Sequence, residues 1–200
     1  MENKKDLSIQ GAISTNRKLF EALRNDVQGI LSGEKEKMQR QRLYLPLAYS
    51  DFRELFLSFG TYCLYQRNQR REFVIDKNNE AVIELFYYYA TNDSSFSGDL
   101  DKGIMLQGKY GCGKSVILET YSMLHNHIVM NYSLRLPLLT FIQSIELQEQ
   151  IVKQSIKSFI QRPLIIDEFG REPKTVQDFG NILRPISELL SIRADMGTLT

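Results

Sequence analysis

The spacing of apolar residues divides the chain into a helical first part and a second part in which short strands alternate with helices. In the first part, apolar side chains recur at three- and four-residue intervals. This spacing predicts an amphipathic helix over residues 16–31 and a second helix from about Ser50 with one apolar face. Residues 79–91 are predicted to form a third helix, which contains an aromatic cluster at residues 86–89. Ser50 is a candidate N-cap for the second of these helices. The polar, glycine-containing stretch 92–99 predicts a loop between the two parts.

The second part combines short apolar runs with longer amphipathic stretches. Because strands and helices alternate, the pattern predicts an α/β fold with a parallel sheet that helices cover on both faces. The predicted strands are residues 103–107, 137–141 and 164–166, and a fourth begins at 197–200. The predicted helices are residues 114–128, 149–160 and 175–193.

Composition narrows the class of protein only slightly. The chain has 25 Lys and Arg against 24 Asp and Glu, so bulk charge does not indicate a nucleic-acid binder, and only local patches remain open. Cys63 and Cys112 lack the spacing of a disulfide framework or a zinc site, which favours reduced thiols. The charged N-terminus is not a signal peptide, and no stretch approaches the ~18 apolar residues of a membrane span. We expect a soluble, cytoplasmic protein without a membrane partner.

Residues 108–115 have the sequence Gly-Lys-Tyr-Gly-Cys-Gly-Lys-Ser, which satisfies the phosphate-loop pattern G-x-x-x-x-G-K-[ST]. Glycines let backbone N–H groups turn towards phosphates, and the following helix adds its N-terminal amides and dipole. Lys114 is expected to reach the β- and γ-phosphates, and the Ser115 hydroxyl to ligate Mg²⁺. A glycine-rich surface turn is the alternative, but it does not explain the position between an apolar run and a helix. The predicted nucleotide-contacting residues are Gly108, Lys109, Tyr110, Gly111, Cys112, Gly113, Lys114, Ser115 and Val116.

Two carboxylates, Asp167 and Glu168, follow the predicted strand 164–166. A strand buried in a parallel sheet delivers its C-terminal residues to the crevice where ligands bind. Asp167 is the expected direct or second-sphere Mg²⁺ partner, and Glu168 is the expected base that orients the attacking water. Glu168 and Lys114 are therefore the predicted catalytic residues. A strand that ends in a solvated turn is the alternative for this pair of acids.

The arrangement resembles the AAA+ ATPases. A predicted strand separates the two motifs and a glutamate directly follows the aspartate, as in the additional-strand, catalytic-glutamate division of P-loop proteins. The sequence contains no Leu-Ser-Gly-Gly-Gln run of the transporter type. Residues 163–172, where Phe169 and Gly170 follow the acidic pair, look like the helicase-loader branch, which includes DnaC-type loaders and IstB-type transposition helpers. Residues 73–75 look like the segment that flanks adenine in that branch. The resemblance covers about residues 70–200.

The resemblance implies an N-terminal helical partner-binding region, residues 1–69, and an AAA+ core, residues 70–200. It implies ATP and Mg²⁺ as ligands, hydrolysis coupled to loading of a replicative helicase onto single-stranded DNA, and homo-oligomers formed through AAA+ interfaces. The family pattern continues into a sensor-1 strand, an arginine finger and sensor 2. Because the sequence stops at Thr200, before these features, we expect ATP binding for this chain and turnover for a longer parent.

Other interpretations remain open. A transposition helper would use the same core on duplex DNA with a transposase, and a nucleotide-responsive binding module would not hydrolyse ATP. A small-molecule kinase would need an arginine-bearing lid, which we do not find. Arg184 and Arg193 are candidate arginine fingers, although a solvated helix face or a loop contact is preferred for both. His125 and His127 are expected at a surface or helix end.

A basic and aromatic group in the first part is a candidate contact for single-stranded DNA, since aromatic rings stack on bases and arginines neutralise phosphates. A solvated helix end with core aromatics is the preferred interpretation. The group comprises Tyr62, Tyr65, Arg67, Arg70 and Arg71.

Overall fold

The structure, a computed structural model, describes residues 21–34, 45–132, 134, 136–178 and 181–198. The chain divides into two compact units, Met1–Arg42 and Leu43–Thr200, and the predicted boundary between residues 69 and 70 lies inside the second unit. In the first unit, residues 21–34 form helix α1, whereas the predicted helix start at residue 16 lies outside the described residues. The large apolar side chains of α1 are exposed: Leu23, Val27, Ile30 and Leu31.

The second unit is a mixed α/β fold with a parallel pair of strands and an antiparallel pair. Its helices are α2 (Tyr49–Gln66), α3 (Glu80–Thr91), α4 (Lys114–Asn131), α5 (Ser144–Gln154), a 3₁₀ turn (Ile156–Phe159) and α6 (Pro185–Asp195). Its strands are β1 (Thr140–Gln143), β2 (Leu164–Asp167), β3 (Val176–Asp178) and β4 (Asn181–Leu183).

Aromatic side chains build the core that α2, α3 and α4 share. Phe52 and Phe56 of α2 are fully buried, and the Phe86 ring of α3 stacks on Tyr121 of α4 with ring centroids 4.4 Å apart. Buried aromatic rings cover large apolar areas and prefer offset or edge contacts, so they fix the mutual position of the three helices. This core therefore holds α4, whose N-terminus follows the glycine-rich loop.

The parallel pair β1–β2 is the centre of a second apolar cluster. Gln143 is aligned with Asp167, so both strands end at the same edge. Leu164 of β2 is buried among side chains of α5 and α6, including Leu147 and Leu189. Because parallel strands bring their carboxyl ends together, the cluster sets the position of the residues that follow β2.

Several predicted elements are confirmed. Helix α3 begins at Glu80 after Asn79, helix α4 begins at Lys114, and β2 begins at Leu164. Helix α2 is present, but the prediction that Ser50 is its N-cap is wrong. The N-cap is Ala48, and the Ser50 hydroxyl instead donates to the neighbouring Asp51 carboxylate at 3.3 Å.

The predicted strands before β2 differ from the observed ones. Residues 103–107 belong to no strand in the structure, and the strand predicted over 137–141 is observed as Thr140–Gln143. For the strand predicted over 137–141, the physical reason lies in Asn126 of α4, whose side-chain amide donates to Leu139 O at 2.9 Å and accepts from Leu139 N at 2.8 Å. A side chain thus occupies the backbone groups that a neighbouring strand would use, and sheet pairing begins one residue later.

His125 is buried, contrary to the expected surface position. Its ring Nε2 donates to the Pro137 carbonyl at 3.2 Å. Burial lowers the pKa of His125, and this hydrogen bond opposes the shift. The side chain consequently joins α4 to the segment before β1.

The helix predicted over residues 149–160 begins five residues earlier, at Ser144, and ends at Gln154. Ser155 has a φ of 103°, which no α-helix contains, and a 3₁₀ turn follows. The helix predicted over residues 175–193 is wrong in its first half, where the hairpin β3–β4 lies.

Pro185 explains the late start of α6. Proline lacks an N–H donor, favours the first helical position and disfavours the helical conformation of the preceding residue. Arg184 accordingly has a φ of −124° and a ψ of 68°, and α6 begins at Pro185. Of the fourth predicted strand, Gly197 and Thr198 belong to no strand, and residues 199–200 lie outside the described residues.

Gly60 is the site of a close contact between α2 and the chain after it. A Cβ at this position would lie 2.5 Å from Cγ of the buried Phe73 ring. Alanine in an open helix position raises stability by about 1 kcal/mol relative to glycine. In contrast, we expect Gly60→Ala to lower the free energy of unfolding by about 1–3 kcal/mol, because the core must shift. Urea denaturation followed by circular dichroism measures the change. Ser58→Ala on the exposed face of α2 is the matched control, and equal stability of both variants would contradict the packing described.

Candidate functional site

The glycine-rich loop, residues 108–113, forms an exposed turn that leads into α4. Gly111 and Gly113 have φ values of 77° and 90°, a region that favours glycine. A Cβ built at either position would meet nothing within 4 Å, so open space adjoins both glycines. Gly113 is the N-cap of α4 and supplies no side-chain cap. The first backbone N–H groups of the helix therefore lack the oxygen that a Ser, Thr, Asp or Asn cap provides.

Lys114 points back into this loop. Its ammonium nitrogen donates to Gly108 O at 3.0 Å and to Lys109 O at 2.9 Å, and it lies 3.5 Å from the Cys112 sulfur. The positive charge consequently lies among the loop's own carbonyls. An anion that enters the loop would meet both the ammonium group and the helix N-terminus.

Ser115 and Asp167 connect the loop to the sheet. The Ser115 hydroxyl donates to Asp167 Oδ1 at 2.9 Å, across 52 positions of sequence. Asp167 is buried, with a relative exposure of 7%. An alcohol oxygen beside a carboxylate is the donor set that Mg²⁺ takes in proteins, with water and phosphate oxygens completing the octahedron. Within the described ranges, His, Cys, Asp and Glu form no cluster of three suited to a metal ion.

Glu168 begins the turn that follows β2, and its backbone has a left-handed φ of 56°. Its carbonyl accepts from the Ser144 hydroxyl at 3.0 Å and from Arg171 N at 3.1 Å. Its carboxylate pairs with Arg171 Nη1 at 2.6 Å, and this hydrogen bond, with the Glu168 charge, raises the pKa of Arg171. Gly170, with a φ of 94°, donates its N–H to the Glu172 carboxylate at 2.8 Å. The turn is thus held by its own polar groups.

The remaining predicted loop residues occupy different environments. The side chains of Lys109 and Cys112 are exposed, and Tyr110 is the most exposed of the large apolar residues, at 92%. Val116 is half-buried and packs against the aromatic core. Phe73, in the segment predicted to flank adenine, is buried in that same core.

The candidate arginine fingers are not part of this site. Arg193 is 1% exposed, and its Nη1 donates to the carbonyls of Phe159, Ile160 and Arg162. Burial lowers the pKa of Arg193 to about 10. Of the two preferred alternatives, the loop contact is the one observed for Arg193, at the end of the 3₁₀ turn, and the solvated helix face is wrong. Arg184 is exposed before α6.

Sequence reasoning missed two arginines near the site. Arg171 pairs with Glu168 three positions earlier, a spacing that could have been recognised in a turn. Arg67, weighed only as a DNA contact, pairs with Glu119 of α4. These two residues are 52 positions apart and belong to different helices, so no sequence spacing indicates the contact.

Comparisons with known proteins gave no match: no family model, no curated protein and no solved structure matches this chain. None of the described helices has the length and apolar character needed to cross a membrane. The chemistry of the site itself must therefore carry any functional conclusion.

The two cysteines provide a test of the loop. Cys112 is exposed, whereas burial and a hydrogen bond to Glu119 raise the pKa of Cys63 to about 11. Because the thiolate is the reactive form, we expect iodoacetamide at pH 8 to modify Cys112 rapidly and Cys63 about a hundredfold more slowly. Peptide mass spectrometry measures both rates. Cys112→Ser should remove the fast reaction, and a fast reaction that persists in this variant would show that Cys63 is accessible.

Proposed function

We propose that this chain is a P-loop ATPase, which binds ATP with Mg²⁺ at residues 108–116 and uses Glu168 to orient the water for hydrolysis. The observation that carries the proposal is the 2.9 Å hydrogen bond between Ser115 and Asp167. It joins a phosphate-loop motif to the acidic end of a parallel strand, and these are the two places from which P-loop enzymes draw their Mg²⁺ ligands.

The loop fits a chain of phosphates in three ways. Two left-handed glycines leave space for phosphate oxygens, the first turn of α4 offers N–H groups without a side-chain cap, and Lys114 adds a positive charge. Backbone amides and a helix dipole stabilise anions without any side-chain cap. A solvated turn with a surface lysine does not require this combination.

Each residue then has a defined task. Lys114 exchanges the carbonyls of Gly108 and Lys109 for phosphate oxygens, which are stronger acceptors because they are charged. Ser115 would hold the metal ion through its hydroxyl, and Asp167, which accepts the Ser115 hydrogen bond, would hold it directly or through a water. Bound Mg²⁺ supplies neutralisation of the charge that develops on the phosphate oxygens. Glu168 orients and deprotonates a water, for which its carboxylate must leave Arg171.

The resemblance to AAA+ helicase loaders supplies the wider proposal. ATP binding and hydrolysis would drive loading of a replicative helicase onto single-stranded DNA by a cytoplasmic homo-oligomer. The exposed apolar side chains of α1 support a protein partner for the N-terminal region. Affinity purification of the tagged chain tests this part, because a helicase among the bound proteins supports it and a transposase would favour the IstB-type alternative.

A second candidate is a module that binds nucleotide without turnover. The ion pair between Glu168 and Arg171 favours it. The Glu168 carboxylate accepts from the Arg171 guanidinium at 2.6 Å, and in this position it does not orient a water for hydrolysis. Steady-state phosphate release, with and without single-stranded DNA, separates the two functions.

Lys114→Ala tests the binding site. We expect a roughly ten- to hundredfold weaker affinity for ATP with Mg²⁺, because a charge-assisted bond to phosphate contributes about 1.5–3 kcal/mol. Isothermal titration calorimetry measures the affinity. Lys153→Ala, which removes an exposed lysine that pairs along α5 with Glu149, should bind as the wild type does. Equal affinities for both variants would refute the site.

Glu168→Gln tests the catalytic assignment separately. The amide keeps the size of the side chain but cannot accept a proton, so we expect hydrolysis to fall about 10²–10⁴-fold. ATP affinity should remain within about threefold of the wild-type value, since the residue acts on water and not on phosphate. Unchanged turnover in this variant would show that Glu168 is not the base.

A further inference from the structure

The C-terminal end of α2 is joined to α4 through one carboxylate. Arg67, the C-cap residue of α2, donates from Nε to Glu119 Oε2 at 2.7 Å, and its Nη2 contacts the same oxygen. The thiol of Cys63, one turn earlier, also donates to this oxygen at 3.2 Å. Glu119 is therefore held by two groups of α2, and the ion pair is only partly exposed to solvent, at 34% and 22%.

Glu119 is close to the candidate phosphate site. It follows Ser115 by four positions on α4, so the two side chains share a helix face with Cβ atoms about 6 Å apart. Ser115 in turn contacts Asp167. The pKa of Arg67 reflects this neighbourhood: burial lowers it, but the bond to Glu119 and the charges of Glu119, Cys63 and Asp167 raise it above the ordinary value.

We propose that Arg67 is a positioning residue for the nucleotide, which acts by neutralising Glu119 one helical turn beyond Ser115. The inference rests on the proposed ATP site and adds a residue from outside both motifs. Without Arg67, a partly buried negative charge would face a net negative magnesium–nucleotide complex. Ser115 and Glu119 lie within the Debye length of about 10 Å that applies at ~0.1 M salt, so this repulsion acts at low ionic strength and weakens at high salt.

If Arg67 acts by neutralising Glu119, substitutions of these two residues should change ATP affinity in opposite directions. Arg67→Ala leaves Glu119 unneutralised and is expected to weaken ATP affinity about three- to tenfold. Glu119→Gln leaves Arg67 in excess, keeps an oxygen for the Cys63 thiol, and is expected to tighten ATP binding by a similar factor. The double variant should return close to the wild-type affinity. A purely structural ion pair would instead give two losses of the same sign.

The experiment measures ATP affinity of the full chain by calorimetry, at low and at high salt, for the wild type, both single variants and the double variant. Arg71→Ala is the matched control, because it removes a cation from the same segment whose side chain bonds Gln69. This control should stay within about twofold of wild type. Arg67→Lys keeps the charge and should retain most of the affinity, and it serves as the test if Arg67→Ala does not fold.

Each outcome supports or overturns the inference. Opposite signs that shrink at high salt, with recovery in the double variant, support it. Losses of equal sign, or a wild-type affinity in Arg67→Ala, overturn it while the ATP site stands. If the wild-type chain itself binds no ATP, the proposed function is wrong, and this inference, which depends on it, is wrong as well. If Arg67→Lys loses as much affinity as Glu119→Gln gains, charge is not the property that matters, and the inference is overturned.

Discussion

The hydrogen bond from Ser115 to Asp167 is the contact on which the organisation of this molecule depends. It lies where two apolar cores meet. Helix α4 is packed with α2 and α3, whereas β2 is packed with α5 and α6. A buried aspartate needs a polar partner, because an unpaired carboxylate at such a position costs several kcal/mol. Ser115 supplies this partner and fixes the glycine-rich loop relative to the sheet.

Polar side chains elsewhere reinforce the same junction. Asn126 of α4 holds both backbone groups of Leu139, and Ser144 at the start of α5 holds the carbonyl of Glu168. Each of these contacts is a hydrogen bond to a backbone group. Both determine where a strand begins or how a turn leaves it. Helix side chains therefore help the strand ladder to position the small sheet, and the bond from Ser144 fixes the backbone at Glu168, directly after Asp167.

How much the sequence predicts depends on whether the signal is local. The loop and α4 follow from glycine spacing and helical periodicity, and β2 follows from an apolar run that ends in two acids. The hairpin before α6 was missed because the apolar spacing there also fits a helix, and Pro185 was the overlooked local signal. The pairing of Arg67 with Glu119 could not be predicted from the sequence, because it joins two helices across 52 positions. Tertiary contacts of this kind have no sequence period.

The backbone at Glu168 has a further consequence for how this chain tolerates change. Its φ of 56° lies in the left-handed region, which glycine adopts without strain and asparagine adopts at low cost. For a longer side chain such as glutamate, this conformation is strained. Selection for thermal robustness alone would therefore favour replacing this acid. Engineering that ranks variants by thermal stability alone is expected to replace Glu168 and to give a more stable protein. Such a molecule would lack the one group at the end of β2 that the proposed hydrolysis uses as its base.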